Sequence, residues 1–222
     1  MTDVTENNDG SAVGDNERLV FFSDAVVAIA LTLLALELPV PHGASDTEVW
    51  RALREHFADY AMFLLSFAVI SELWVAHKWL FGRVEGFTPR LVWLNFVWLL
   101  GTVLIPFATK VLIEDGDYQV SAVLFAVVVG GTGLVLISIV RHCRARGLLR
   151  PDAAPDAMRR FQLVIGLPTV AFLLSVPVAF VSLSAAKYSW VATFVLTVVA
   201  ARWSTHPRGQ ADLERSPRGA RR

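Results

Sequence analysis

Residues 19–38 read LVFFSDAVVAIALTLLALEL. The stretch is apolar apart from Ser23, Asp24, Thr32 and Glu37, and Pro39 and Pro41 close it. A helix rises about 1.5 Å per residue, so roughly 20 apolar residues cross the ~30 Å hydrocarbon core of a bilayer. Five more runs of that kind follow, at about 57–81, 91–113, 118–140, 161–182 and 188–203. They are continuous instead of alternating every second residue, which argues against a β-barrel. The expected fold is therefore an all-α integral membrane protein with six transmembrane helices. Pro168 and Pro177 should bend the fifth, and only a short loop separates it from the sixth.

Composition agrees. The 222 residues are 55% hydrophobic and 18% charged, a balance that would leave a soluble domain with too much exposed apolar surface. Twenty basic and twenty acidic residues give zero formal charge, so a nucleic-acid partner has no support. The single cysteine, Cys143, excludes an intrachain disulfide and a cysteine metal site, and it reads as an incidental loop thiol. Residues 1–16 are polar and acidic without a basic n-region. They read as a disordered cytoplasmic tail and not a signal peptide. The expected organisation is that tail, a transmembrane domain over 17–203, and a basic cytoplasmic tail over 204–222. The Arg-rich tail would attract anionic lipid or simply be solvated.

Basic residues set the orientation. With the N-terminus inside, sixteen fall in inner loops and tails, against four outside (Arg51, Arg54, Lys110 and Lys187). By the positive-inside rule both termini are cytoplasmic. Trp50, Trp79, Trp93, Trp190 and Trp203 lie near segment ends, where interfacial anchors belong. The outer loop, Pro39 to His56, is too short to fold alone, and no catalytic domain is present.

Ionisable and polar groups inside a span need partners or water. Asp24 lies roughly 9 Å in from Arg18, His77 roughly 6 Å from Phe81, and Asn95 about 7 Å into the third segment. Three helices thus bring polar groups to one depth, together with Trp74, where an interhelical hydrogen-bond network could form. Structural glue and direct ion contact both remain open. Arg18 and Asp24 point roughly 120° apart on one helix, so each should reach a neighbouring helix of the same or the next subunit. Glu72 lies near the same depth, with a neighbouring helix or Lys78 as possible partners.

On the helical wheel, Ala25, Ile29, Thr32, Leu33 and Leu36 form an apolar stripe with one hydroxyl, and Asp24 points about 140° from Ile29. Core packing, a lipid face and a pore wall all fit that stripe. There is no TVGYG-like filter, voltage-sensor arginine repeat, phosphate loop, nucleophile elbow or ligand-spaced histidine pair. Enzyme and cofactor readings have no support. Gly130, Gly131 and Gly133 in the fourth segment suit close helix packing.

The run Arg18-Leu-Val-Phe-Phe22-Ser23-Asp24, R-x-x-x-F-S-D at the start of the first span, resembles the hallmark of the transmembrane protein 175 family of potassium channels. Trp74-x-x-His77 followed by Phe81 is similar to the family's second helix, and Asn95 with Pro106-Phe107 to its third. The resemblance covers Arg18 to about Trp203. The motif occurs once, which implies the single-repeat bacterial type: a homotetramer of six-span subunits in the plasma (inner) membrane, conducting potassium ions. It further implies that the first helix of each subunit lines the pore. Ile29 would make the tightest constriction, Leu33 and Leu36 the next layers, and Thr32 would bear on selectivity. Arg18, Phe22, Ser23 and Asp24 would join an interhelical network with Trp74, His77 and Asn95.

A narrow apolar ring cannot replace an ion's hydration shell, so four isoleucines can close a pore by dewetting. The alternative readings are a proton-permeable channel or a proton-coupled secondary transporter using Asp24 and His77. A carrier finds no inverted repeat or broken helix pair here.

Overall fold

The computed structural model describes residues 6–150 and 155–204, and within them the fold is helical. The elements are α1 (Glu6–Leu36), α2 (Asp46–Glu55), α3 (Phe57–Phe81), α4 (Pro89–Glu114), α5 (Gln119–Ala145), α6 (Pro155–Val181) and α7 (Leu183–Ser204). Among the described residues, five helices are long and apolar enough to cross a membrane: α1 over Glu17–Leu36, α3, α4, α5, and α6 over Phe161–Val181. The long helices alternate in direction. α5 packs between α4 and α6, α7 lies against α6, and α1 rests on α3 and α4. The helix of α1 reaches back over residues 6–16, within the stretch expected to be a disordered tail. The basic tail at 205–222 lies outside the described residues.

The ends follow local chemistry. α1 stops at Leu36, just before Pro39 and Pro41 remove two donors. Thr88 caps α4 by accepting the Leu91 N–H at 3.2 Å, and Pro89 occupies the first helical position, where its missing donor costs nothing. α6 and α7 are separated by Ser182, whose hydroxyl accepts the Ala185 N–H at 3.3 Å as the α7 cap.

Pro168 and Pro177 both sit inside α6, which stays helical through them. Such proline is tolerated in a membrane helix because neighbouring helices support the freed backbone.

The outer loop carries α2, capped by Ser45, with Glu48 accepting the Ala44 N–H at 2.7 Å. Ser45-Asp-Thr-Glu48 is an S-x-x-E capping pattern, which marks this helix start in the sequence. Two expectations need correction. Cys143 is not a loop thiol. α5 runs on to Ala145, and Cys143 is buried in its last turn. That turn ends where Gly147 adopts φ +63, with Gly147 N–H donating to the Arg144 carbonyl and Leu148 N–H to the Cys143 carbonyl. This is the paired closure that favours glycine after a helix. Trp190 is not an interfacial anchor. It is fully buried against Phe125 and Phe172, and its indole N–H donates to Ser175 Oγ at 2.7 Å. Trp93, by contrast, is exposed, and the side chain of Trp203 lies outside those described.

Close approach of helices rests on small residues. A side chain at Gly133 would collide with Thr169 of α6, and one at Gly130 with Leu173, whereas Gly131 faces open space. Two of the three glycines therefore serve packing, and Gly131 does not.

Candidate functional site

α1 has two faces. Leu19, Ser23, Val27, Ala30 and Leu34 are buried against α3 and α4, at spacings of four, four, three and four residues. The opposite face carries Ala25, Ile29, Thr32, Leu33 and Leu36, and every one of them is exposed. Ile29 is 58% and Leu36 77% accessible, so the core-packing reading of this stripe fails within the chain. Thr32 Oγ1 donates to the Ile29 carbonyl at 2.8 Å. Its single hydrogen is committed to its own helix, which leaves the hydroxyl lone pairs free.

Behind that stripe, two sets of hydrogen bonds tie α1 to its neighbours. The Trp74 indole N–H on α3 donates to Asp24 Oδ1 at 2.8 Å, and both residues are half-buried. Deeper in, His77 Nε2 lies 2.7 Å from Asn95 Oδ1, and Asn95 Nδ2 donates to Ser23 Oγ at 2.9 Å. Ser23 Oγ in turn donates to the Leu19 carbonyl at 2.8 Å. The chain of donors runs one way, and an acceptor at Asn95 Oδ1 requires His77 to carry its proton on Nε2. Ser23, His77 and Asn95 are all fully buried. Three helices are thereby joined by groups that would otherwise be left unpaired in an apolar interior.

His77 is also sandwiched. Its ring stacks on Phe81 at 4.2 Å and on Trp98 at 4.1 Å, with interplanar angles of 25° and 15°. The stack and Asn95 together fix the imidazole plane. Trp98 did not figure among the sequence candidates. Its place three residues after Asn95, on the same face of α4, is the signal that could have found it.

The other expected site residues are placed differently. Phe22 is half-exposed and meets the Phe96 ring of α4 edge-on at 6.0 Å. Arg18 is exposed, and within the chain it makes no bond to Asp24, Trp74, His77 or Asn95. Lys78 lies over the Trp74 ring at 5.0 Å and not beside Glu72. At the opposite end of α1, Glu37 pairs with Lys110 of α4 at 2.9 Å.

A family profile described as the endosomal/lysosomal potassium channel TMEM175 matches residues 18–106. A Streptomyces collinus protein named as a potassium channel is 31% identical over 77% of this chain and 85% of its own length. The chain belongs to the TMEM175 family. The crystal structure of a lysosomal potassium-selective channel TMEM175 homolog from Chamaesiphon minutus superimposes with a TM-score of 0.69 at 25% identity, covering 87% of this chain and all of that one. The human endosomal/lysosomal proton channel TMEM175 is 27% identical over 68% of this chain, which spans 30% of that protein. The TMEM175 family is one of membrane ion channels and not of enzymes. The matched segment begins at Arg18 and ends at Pro106. It therefore contains the α1 stripe and all the residues that brace it.

Proposed function

We propose that this chain forms a potassium-selective leak channel of a bacterial plasma membrane. Four copies, each with six spans and cytoplasmic termini, would surround a pore lined by α1. The observation that carries the reading is the division of α1. One face is locked to α3 and α4 by buried hydrogen bonds, and the other is an uncovered apolar stripe.

In this arrangement Ile29 forms the constriction, with Leu33 and Leu36 as further apolar layers. A ring of isoleucines closes by expelling water, and opening means widening it until water stays. Thr32 supplies oxygen lone pairs next to that ring, because its hydrogen is held by the Ile29 carbonyl. Asp24, Trp74, Ser23, Asn95 and His77 hold the helix from behind and do not touch the ion. Arg18, exposed in one subunit, reaches its neighbour. Potassium ions, lipid and other copies of the chain are the partners.

Support comes from relatives named as potassium channels. A second reading, proton permeation, is supported by the name of the human relative. Reversal potentials in planar bilayers separate the two. Under opposing potassium and sodium gradients the reversal potential should move toward the potassium equilibrium value. Movement with a pH gradient instead favours protons, and no current at all rejects both.

A further inference from the structure

Away from α1, a cavity of about 70 Å³ opens between α3, α5, α6 and α7. Its wall is mostly apolar, with Leu73, Pro168, Phe172 and Phe194 among its residues, and one carboxylate, that of the exposed Glu72, contributes to the lining. Glu72 stands nine residues before the end of α3 at Phe81, roughly 13 Å along the helix axis and therefore deep within the span. It has no hydrogen-bond or ion-pair partner among the described residues. Lys78, the next cation on its helix, is occupied over the Trp74 ring. The hydroxyls of Thr169, Thr193 and Thr197, which also line the cavity, each donate to a carbonyl of their own helix and not to Glu72.

An ionisable group at that depth without a partner is costly, and the cost is relieved by whatever brings an opposite charge. The cavity selects what can bring it. Its volume is about half that of a dry cavity of ~150 Å³ that accommodates benzene, so a chain of about three carbons fits and a six-carbon ring or chain does not. We infer that Glu72 and this cavity form a binding site for a primary alkylammonium, with the ammonium on the carboxylate and the short chain against Leu73, Phe172 and Phe194. The site shares no residue with the α1 stripe, so it stands or falls independently of the channel reading.

The test uses the full chain in lipid nanodiscs, with the thermal unfolding midpoint followed against n-propylammonium chloride, n-propanol and sodium butanoate. Wild type should rise with n-propylammonium at concentrations at least tenfold below those at which n-propanol acts, and butanoate should have no effect. Glu72→Gln, which keeps the shape and removes the charge, should abolish that tenfold preference. Thr193→Leu, which fills the cavity from α7 and keeps the carboxylate, should weaken the response to n-propylammonium as well. An undiminished response in either variant overturns the proposal, and so does equal potency of n-propanol and n-propylammonium on wild type. Midpoints without ligand establish that both variants are folded.

Discussion

Replacing Asn95 with leucine removes the acceptor of the His77 N–H and the donor to Ser23 in one step, at a site buried from solvent. A buried donor left without a partner costs about 1–3 kcal/mol. Ser23 keeps its bond to the Leu19 carbonyl, so its loss is nearer the ~0.6 kcal/mol typical of interhelical bonds in membranes. Asn95→Leu should therefore destabilise the chain by roughly 2–3 kcal/mol. His77→Phe keeps a ring for the stack between Phe81 and Trp98, yet strands Asn95 Oδ1 at a cost of about 1–3 kcal/mol. In the double variant neither group is stranded, because both partners are apolar and only the Ser23 term remains. The two changes should thus be strongly non-additive, with a coupling of roughly 4 kcal/mol in a double-mutant cycle, since each single change strands a different buried group and the double strands neither. The assay is reversible unfolding of the three variants and wild type in one lipid or detergent. Additivity within about 0.5 kcal/mol would refute the claim that these two side chains satisfy each other.

Gly133→Ala should destabilise by about 1–3 kcal/mol, because its methyl group meets Thr169, whereas Gly131→Ala should be neutral or stabilising by up to about 1 kcal/mol. The same unfolding assay compares them. Trp190→Ala, a core truncation, should cost about 3–5 kcal/mol, while Trp93→Ala on the exposed face of α4 should cost far less. Asp24→Ala should reduce the fraction of assembled oligomer seen by light scattering on size-exclusion chromatography. Asp24→Asn should reduce it less, since an amide oxygen still accepts the Trp74 N–H.

The membrane helices were legible because their signal is collective. A run of apolar residues long enough to span a bilayer tolerates several misplaced polar groups without changing its meaning. Single positions were harder. Trp190 is adjacent to a polar segment start, which suggested an interface, but Ser175 from α6 satisfies its indole and admits it to the core. The apolar run of the fourth segment ends at Val140, and Arg141 and His142 read as loop in the sequence, although α5 continues to Ala145. In the fold His142 reaches Thr88 at 2.9 Å, and the turn is held under a short backbone pairing of Val84 with Leu149.

At the candidate site, helix rise alone put Asp24, Trp74, His77 and Asn95 at a similar depth. It could not say that they divide into an Asp24–Trp74 bond and a separate Ser23–Asn95–His77 chain, since that depends on how α1, α3 and α4 are rotated. Rotation also decided the stripe. Periodicity gave its members, and only the packing of the opposite face showed that the chain itself leaves Ile29 and Leu36 uncovered.

The pore assignment to that uncovered face meets its most direct test in potassium flux from proteoliposomes carrying wild type or Ile29→Asn. An amide at the constriction holds water where isoleucine expels it, so the account predicts a marked rise in flux with unchanged oligomer size. Flux equal to wild type, from a variant that assembles normally, would contradict the placement of Ile29 in the pore.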